Sequence, residues 1–192
     1  MMRRAFLYGS IFLLPVIMVS CGDDDLKKAS PINNQKLLLN RDRTIGVEII
    51  YSDSARVKAK GNAPIMDKVT TQNGSTYQEM IKGVKIDFFN INKPGEIDGT
   101  LICDYAIRKE QEQKTFFRKN VIVKNAKGDT FSSEELIWDE AKKLFYSKQK
   151  VVVKTIDGNI LEGVDFEAPQ DFSTYTFNQG TGQAVLKDAI VP

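Results

Sequence analysis

Two pairs of adjacent carboxylates, Glu134-Glu135 and Asp139-Glu140, are the residues of this sequence best placed to do chemistry. Converging acids can share the roles of proton donor and base or nucleophile, as in glycoside hydrolysis. The same pairs equally suit a solvated strand edge or turn, and no other reactive group is spaced to join them. The chain has no histidine, so the commonest general base, proton shuttle and metal ligand is missing. Its two cysteines, Cys21 and Cys103, are too few for a thiolate zinc site or a disulfide framework. No Gly-x-Ser-x-Gly elbow, phosphate loop or Cys/His metal spacing occurs. The expectation is a protein that is not an enzyme, with no catalytic residues, metal or cofactor.

Cys21 points to a different chemistry. Arg3 and Arg4 precede an apolar run over 5–19, which ends in Val19-Ser20-Cys21. A basic start, an apolar stretch and a small residue before the cut describe a secretory signal peptide over 1–20. The run is shorter than the roughly 20 residues a spanning helix needs, and Pro15 disfavours a regular one. Val-Ser-Cys resembles a bacterial lipobox, with Met18 where Leu is usual, and this implies acylation of Cys21 and attachment to a membrane through its acyl chains. The acidic run Asp23-Asp24-Asp25 is similar to outer-membrane or surface sorting signals, and it also suits an extended, solvated linker. The inner membrane is favoured, facing the periplasm, and the acidic run keeps the outer membrane open. Removing Arg3 and Arg4 from the 27 basic residues leaves 25, equal to the 25 acids. A neutral mature chain offers no electrostatic reason to bind nucleic acid.

The elements that would position any site are strands. NVIVKNAKGDTF, from Asn120, repeats as KVVVKTIDGNIL, from Lys150, at an offset of 30 without a gap. Val121 falls on Val151, Val123 on Val153, and Gly128 on Gly158. Each copy reads as strand, glycine turn, strand. Elsewhere the period is two. Val57 and Ala59 share a face opposite Lys58 and Lys60. Val84, Ile86 and Phe88 share another, as do Leu101, Cys103, Tyr105 and Ile107. Further strands are expected over 47–52, 116–125, 130–139, 144–155, 160–167 and 172–177, with Gly180 and Gly182 releasing the chain into a tail. The division is a signal over 1–20, a polar tether over 21–43, a β domain over 44–180 and a tail over 181–192. About ten antiparallel strands without a convincing helix predict an all-β sandwich, barrel or jellyroll.

Across 47–177 a spaced pattern appears: Tyr51-Ser52-Asp53, Asp104-Tyr105-Ala106, Asn120-Val121-Ile122-Val123 with Gly128, Glu135-Leu136-Ile137-Trp138-Asp139, Phe145-Tyr146-Ser147 and Gly163-Val164-Asp165-Phe166. In order and spacing it resembles the LptC family, periplasmic components of lipopolysaccharide export. The resemblance implies a twisted, V-shaped β-jellyroll of the LptA type that holds lipopolysaccharide acyl chains between its sheets. It implies receipt of the glycolipid from an inner-membrane ABC transporter at the N-terminal edge and delivery to an LptA-like jellyroll at the C-terminal edge. The family's late-strand glycine falls on Gly163. Two features depart from the family: a lipobox replaces the uncleaved membrane helix, and Ala55 stands where the early turn often has glycine.

An apolar trough suits acyl chains because each buried CH₂ contributes without directional chemistry. Candidate lining residues are Ile49, Val57, Val84, Ile86, Phe88, Leu101, Tyr105, Val121, Val123, Trp138, Val151, Val153 and Phe166, and the same residues could pack as a closed core. Candidate edge residues for strand addition are Val47, Ile49, Tyr51, Gly163, Phe172, Tyr175 and Phe177. The alternative is a structural or adhesive β-repeat lipoprotein at the outer membrane or cell surface, with a dry core.

Overall fold

Period-2 alternation does organise the chain. The computed structural model describes residues 40–90 and 92–183, which fold as antiparallel strands with no α-helix among them. In order these are β1 (Arg41–Asp53), β2 (Arg56–Thr70), β3 (Thr76–Met80), β4 (Val84–Phe89), β5 (Ile97–Cys103), β6 (Tyr105–Lys109), β7 (Lys114–Asn125), β8 (Thr130–Asp139), β9 (Leu144–Ser147), β10 (Val151–Lys154), β11 (Ile160–Val164), β12 (Phe166–Pro169) and β13 (Gln179–Gln183). A single 3-10 turn, Glu110–Glu112, joins β6 to β7. The expected signal peptide, Cys21, Asp23–Asp25, most of the tether and the tail beyond 183 lie outside the described residues. Among the described residues no helix is long and apolar enough to cross a membrane.

The fold is an all-β jellyroll-like arrangement of two layers. In the first, neighbours run β1-β2-β4-β5-β7-β8-β10-β11-β13; in the second, β2-β3-β6-β7-β8-β9-β12. Strands β2, β7 and β8 are long enough to pair in both. One rung shows how the sequence specifies the first layer: Ile49, Gly61, Ile86, Leu101, Val123, Phe131, Val153 and Leu161 lie side by side across eight strands. Apart from Gly61 every residue of the rung carries an apolar side chain, and all seven point to the same face, so a one-residue slip anywhere would expose them. The layers meet where Phe88 packs on Phe145 with ring centroids 5.6 Å apart and Phe131 on Phe166 at 5.9 Å.

The 30-residue repeat is structural. Val121 pairs with Ser133 and Val123 with Phe131; at the same register Val151 pairs with Gly163 and Val153 with Leu161. Gly128 and Gly158 both sit at φ 91°, each donating its N–H to the residue three back. This left-handed conformation is why glycine recurs.

Several expected boundaries move. The run over 144–155 divides into β9 and β10 because residues 148–150 carry the chain from the second layer to the first. Alternation continues through that corner, since both layers turn the same parity to the core, so the pattern alone hides it. The run over 160–167 divides at Asp165, whose φ of 52° ends β11 and starts β12 in the other layer. Residues 172–177 form no strand beyond one bridge, Glu167 to Thr176. The glycines at 180 and 182, expected to release the chain, instead lie in β13, and β1 begins at Arg41, inside the expected tether.

Candidate functional site

The interior differs from end to end. Between the β1-β2-β4 side of the first layer and the β7-β8-β9 part of the second lies a cavity of about 150 Å³. Its walls include Ile49, Tyr51, Ala59, Gly61, Met80, Val84, Ile86, Phe88, Phe117, Trp138 and Phe145. Gly61 is one of its walls: a Cβ there would sit 3.5 Å from Ile86 and 3.6 Å from Ile49, in ordinary contact. A largely apolar cavity of this size admits a body of about benzene's volume. It therefore fits the end of one acyl chain, and a longer stretch requires the layers to part.

Polar groups sit at its margins. Arg108 Nε donates to Glu140 at 3.0 Å. Gln170 Nε2 donates to the backbone carbonyl of Lys58 at 3.3 Å, and Lys143 Nζ meets Asp53 at 3.1 Å. The last two contacts tie the β1–β2 hairpin to the second layer across a seam with no strand pairing. Lys58 is available for this because it has no partner in the ladder: Tyr51 pairs with Ala59 and Ser52 with Val57.

The expected lining residues separate into three groups. Ile49, Val84, Ile86, Phe88 and Trp138 line the cavity. Leu101, Val121, Val123, Val151, Val153 and Phe166 are buried to 1% exposure or less in a closed core. Two are corrections. Val57 is 49% exposed, because the bulge at Lys58 shifts the register and turns Val57 to the face opposite Ala59. Tyr105 leaves the core face at the β5–β6 corner, where Ala106 replaces it at 0% exposure. Its hydroxyl donates to Glu79 Oε1 at 2.6 Å, and burial together with this acceptor pushes its pKa up to about 12.

Glu79 adjoins the main charge cluster of this half. The Asp67 carboxylate has no exposed surface and receives Arg41 Nη1 at 2.7 Å and Arg43 Nε and Nη2 at 2.7 and 2.8 Å. These bonds, Arg43's foremost, hold Asp67 down at about 2 against the desolvation that opposes them. Arg41 Nη2 also lies 3.2 Å from Glu79 Oε2, a charge contact without hydrogen-bond geometry.

Among the described residues β1 pairs only with β2, so of the edge candidates Val47, Ile49 and Tyr51 do lie on an edge strand. Gly163 is a correction, because β13 covers it. A Cβ there would fall 2.4 Å from the Gln179 carbonyl and 2.7 Å from the Phe177 ring, so the glycine admits its own chain's strand and ring. Phe172, Tyr175 and Phe177 are likewise not on an edge strand. Phe172 is 1% exposed, and all three rings pack against Phe131 or Phe166 as a plug.

The paired carboxylates do not converge. Glu135 binds Arg118 at 2.7 Å, Glu140 binds Arg108, and Asp139 accepts the Lys142 N–H at 3.0 Å in the turn that follows β8. Among the described residues no group of three or more acids or cysteines is placed to hold a metal. Gln170, Phe117 and Met80, absent from the expected lining, have no sequence signal that separates them from ordinary loop and core residues. Phe145 could have been found, since it alternates with Ser147 in the strand read over 144–155. Compared with known proteins, the chain matches no family model and no curated protein.

Proposed function

We propose that this chain is a non-enzymatic carrier in lipopolysaccharide export, anchored to a membrane through Cys21 and working in the periplasm. It takes lipopolysaccharide acyl chains between its layers from an inner-membrane ABC transporter and passes them to a neighbouring jellyroll. The observation that carries this reading is the apolar cavity between the layers, with Ile49, Ile86, Phe88 and Trp138 in its walls. Apolar contact of this kind holds a chain without fixing its identity. The open side of β1 offers backbone groups for strand addition, and β13 presents the other end of the same layer.

The test places a photo-crosslinking side chain at Phe88 or Trp138 of the full lipidated chain, in vesicles containing transporter, lipopolysaccharide and ATP. Glycolipid capture at these positions is expected, with little at Lys148, whose side chain is 79% exposed. Gly61→Val, which fills the cavity from a strand position with ordinary contacts, is expected to abolish capture while leaving the melting temperature within a few degrees. Equal capture at Lys148, or capture indifferent to Gly61→Val, overturns the proposal.

A further inference from the structure

A second apolar surface lies on the outside of the first layer, and two irregularities in the ladder create it. The bulge at Lys58 turns Val57 outward beside Ile50, which is 56% exposed. A second bulge sets Phe89 opposite Ile97 instead of Asp98, so Ile97 also faces out, at 48% exposure. Without these bulges, alternation would place Val57 inside and an aspartate beside Phe89. Bulges recur where a side chain must be re-aimed for use, and here both add apolar surface at the same end of the layer.

Ile50, Val57 and Phe89 form the floor of a groove of about 830 Å³ between the β1–β2 hairpin and the β4–β5 turn. That volume falls within the roughly 300–1,000 Å³ of small-molecule sites. Its charged lining is Arg56, Lys58 and Lys60, with no acid among the lining residues. Lys60 also meets Glu48 at 2.8 Å, with both side chains more than 40% exposed. Such a pair is worth little in water and exchanges readily for another anion.

From this floor and this charge we infer that the groove binds a single anionic amphiphile, its chain on Ile50, Val57 and Phe89 and its headgroup among Arg56, Lys58 and Lys60. The groove opens outside the layers, and it shares one wall residue, Ile50, with the interior cavity.

The test titrates the full chain calorimetrically with monomeric lysophosphatidylglycerol, using lysophosphatidylcholine as the zwitterionic control. All titrations are repeated in the Gly61→Val background, which removes the interior cavity. The anionic lipid is expected to bind at least ten-fold more tightly than the control, and as tightly in Gly61→Val as in the parent. Raising salt from 50 to 500 mM should weaken it several-fold. Lys58→Glu with Lys60→Glu should cost at least ten-fold, and the milder Lys58→Gln two- to five-fold, both with an unchanged melting temperature. Equal binding of the two lipids, loss of binding in Gly61→Val, or indifference to both lysine variants overturns the site. Binding only to vesicles and never to monomeric lipid also overturns it, in favour of docking on a membrane surface.

Discussion

The two halves of this jellyroll use the same strand pairing to opposite ends. Around β10–β12, Phe131, Phe145, Phe166, Phe172, Tyr175 and Phe177 fill the interior with rings whose neighbouring centroids lie 4.9 to 6.3 Å apart. Around β1, β2 and β4 the corresponding inward positions include Ala59, Gly61 and Ala63, and a cavity remains. The backbone does not impose this difference, because one rung of the ladder runs through both halves. It follows from side-chain volume at single positions, Gly61 facing Ile86 where Phe131 faces Val153. A ligand site can therefore arise in a continuous ladder by withholding bulk at a few positions.

The comparison breaks most visibly in stability. Phe131→Ala should cost about 3–5 kcal/mol in urea unfolding, since its neighbours cannot collapse onto the gap, whereas Ile86→Ala beside the cavity should cost nearer 2 kcal/mol. Equal costs would mean that both halves are equally close-packed. The open half depends instead on charge. Asp67→Ala should cost about 2–3 kcal/mol, less than a fully buried pair because the arginines can turn to water.

The pH dependence follows from the same carboxylate. With its folded pKa lowered to about 2, Asp67 stabilises the fold fully above its unfolded value near 3.9. That contribution disappears as the pH falls toward 2. Thermal melts of parent and Asp67→Ala should therefore converge between about pH 4 and pH 2, and a constant gap would remove Asp67 from the account. The smallest effect concerns Cys103, in the ring of strands β2-β4-β5-β7-β6-β3 that bounds the cavity. Burial pushes its thiol up to about 11. At pH 8 it should react with a thiol reagent only at the rate of unfolding. Fast labelling in the folded state would show that the ring opens beside the cavity.

Much of this was legible in the sequence. Strand β8 has the expected boundaries, and the repeat reproduces its register because the glycine turns and the β-branched runs recur together. Val121, Val123, Val151 and Val153 face inward as alternation requires. What the pattern could not carry is where an alternating run changes layer or gains a residue. Val57 was misplaced by one bulged residue, and Tyr105 by the β5–β6 corner. Phe172, Tyr175 and Phe177 read as a strand because an aromatic plug and an edge strand share a composition. Whether an inward Ile meets a neighbour or a void depends on distant pairings, such as Gly61 with Ile86, which no local window contains.

The Asp67 cluster also has a mechanical meaning. Strand β1 is 13 residues long, pairs with β2 over nearly its whole length, and is pinned within its first three residues through Arg41 and Arg43. Tension arriving through the preceding chain and directed along β1 would load the whole ladder in shear, with the arginine pins taking the strain first. Tension directed away from the sheet would peel the ladder pair by pair, beginning at those same pins. In either direction the arginine pins are loaded before the pull reaches Ile49 and Tyr51, the cavity-wall residues further along the same strand.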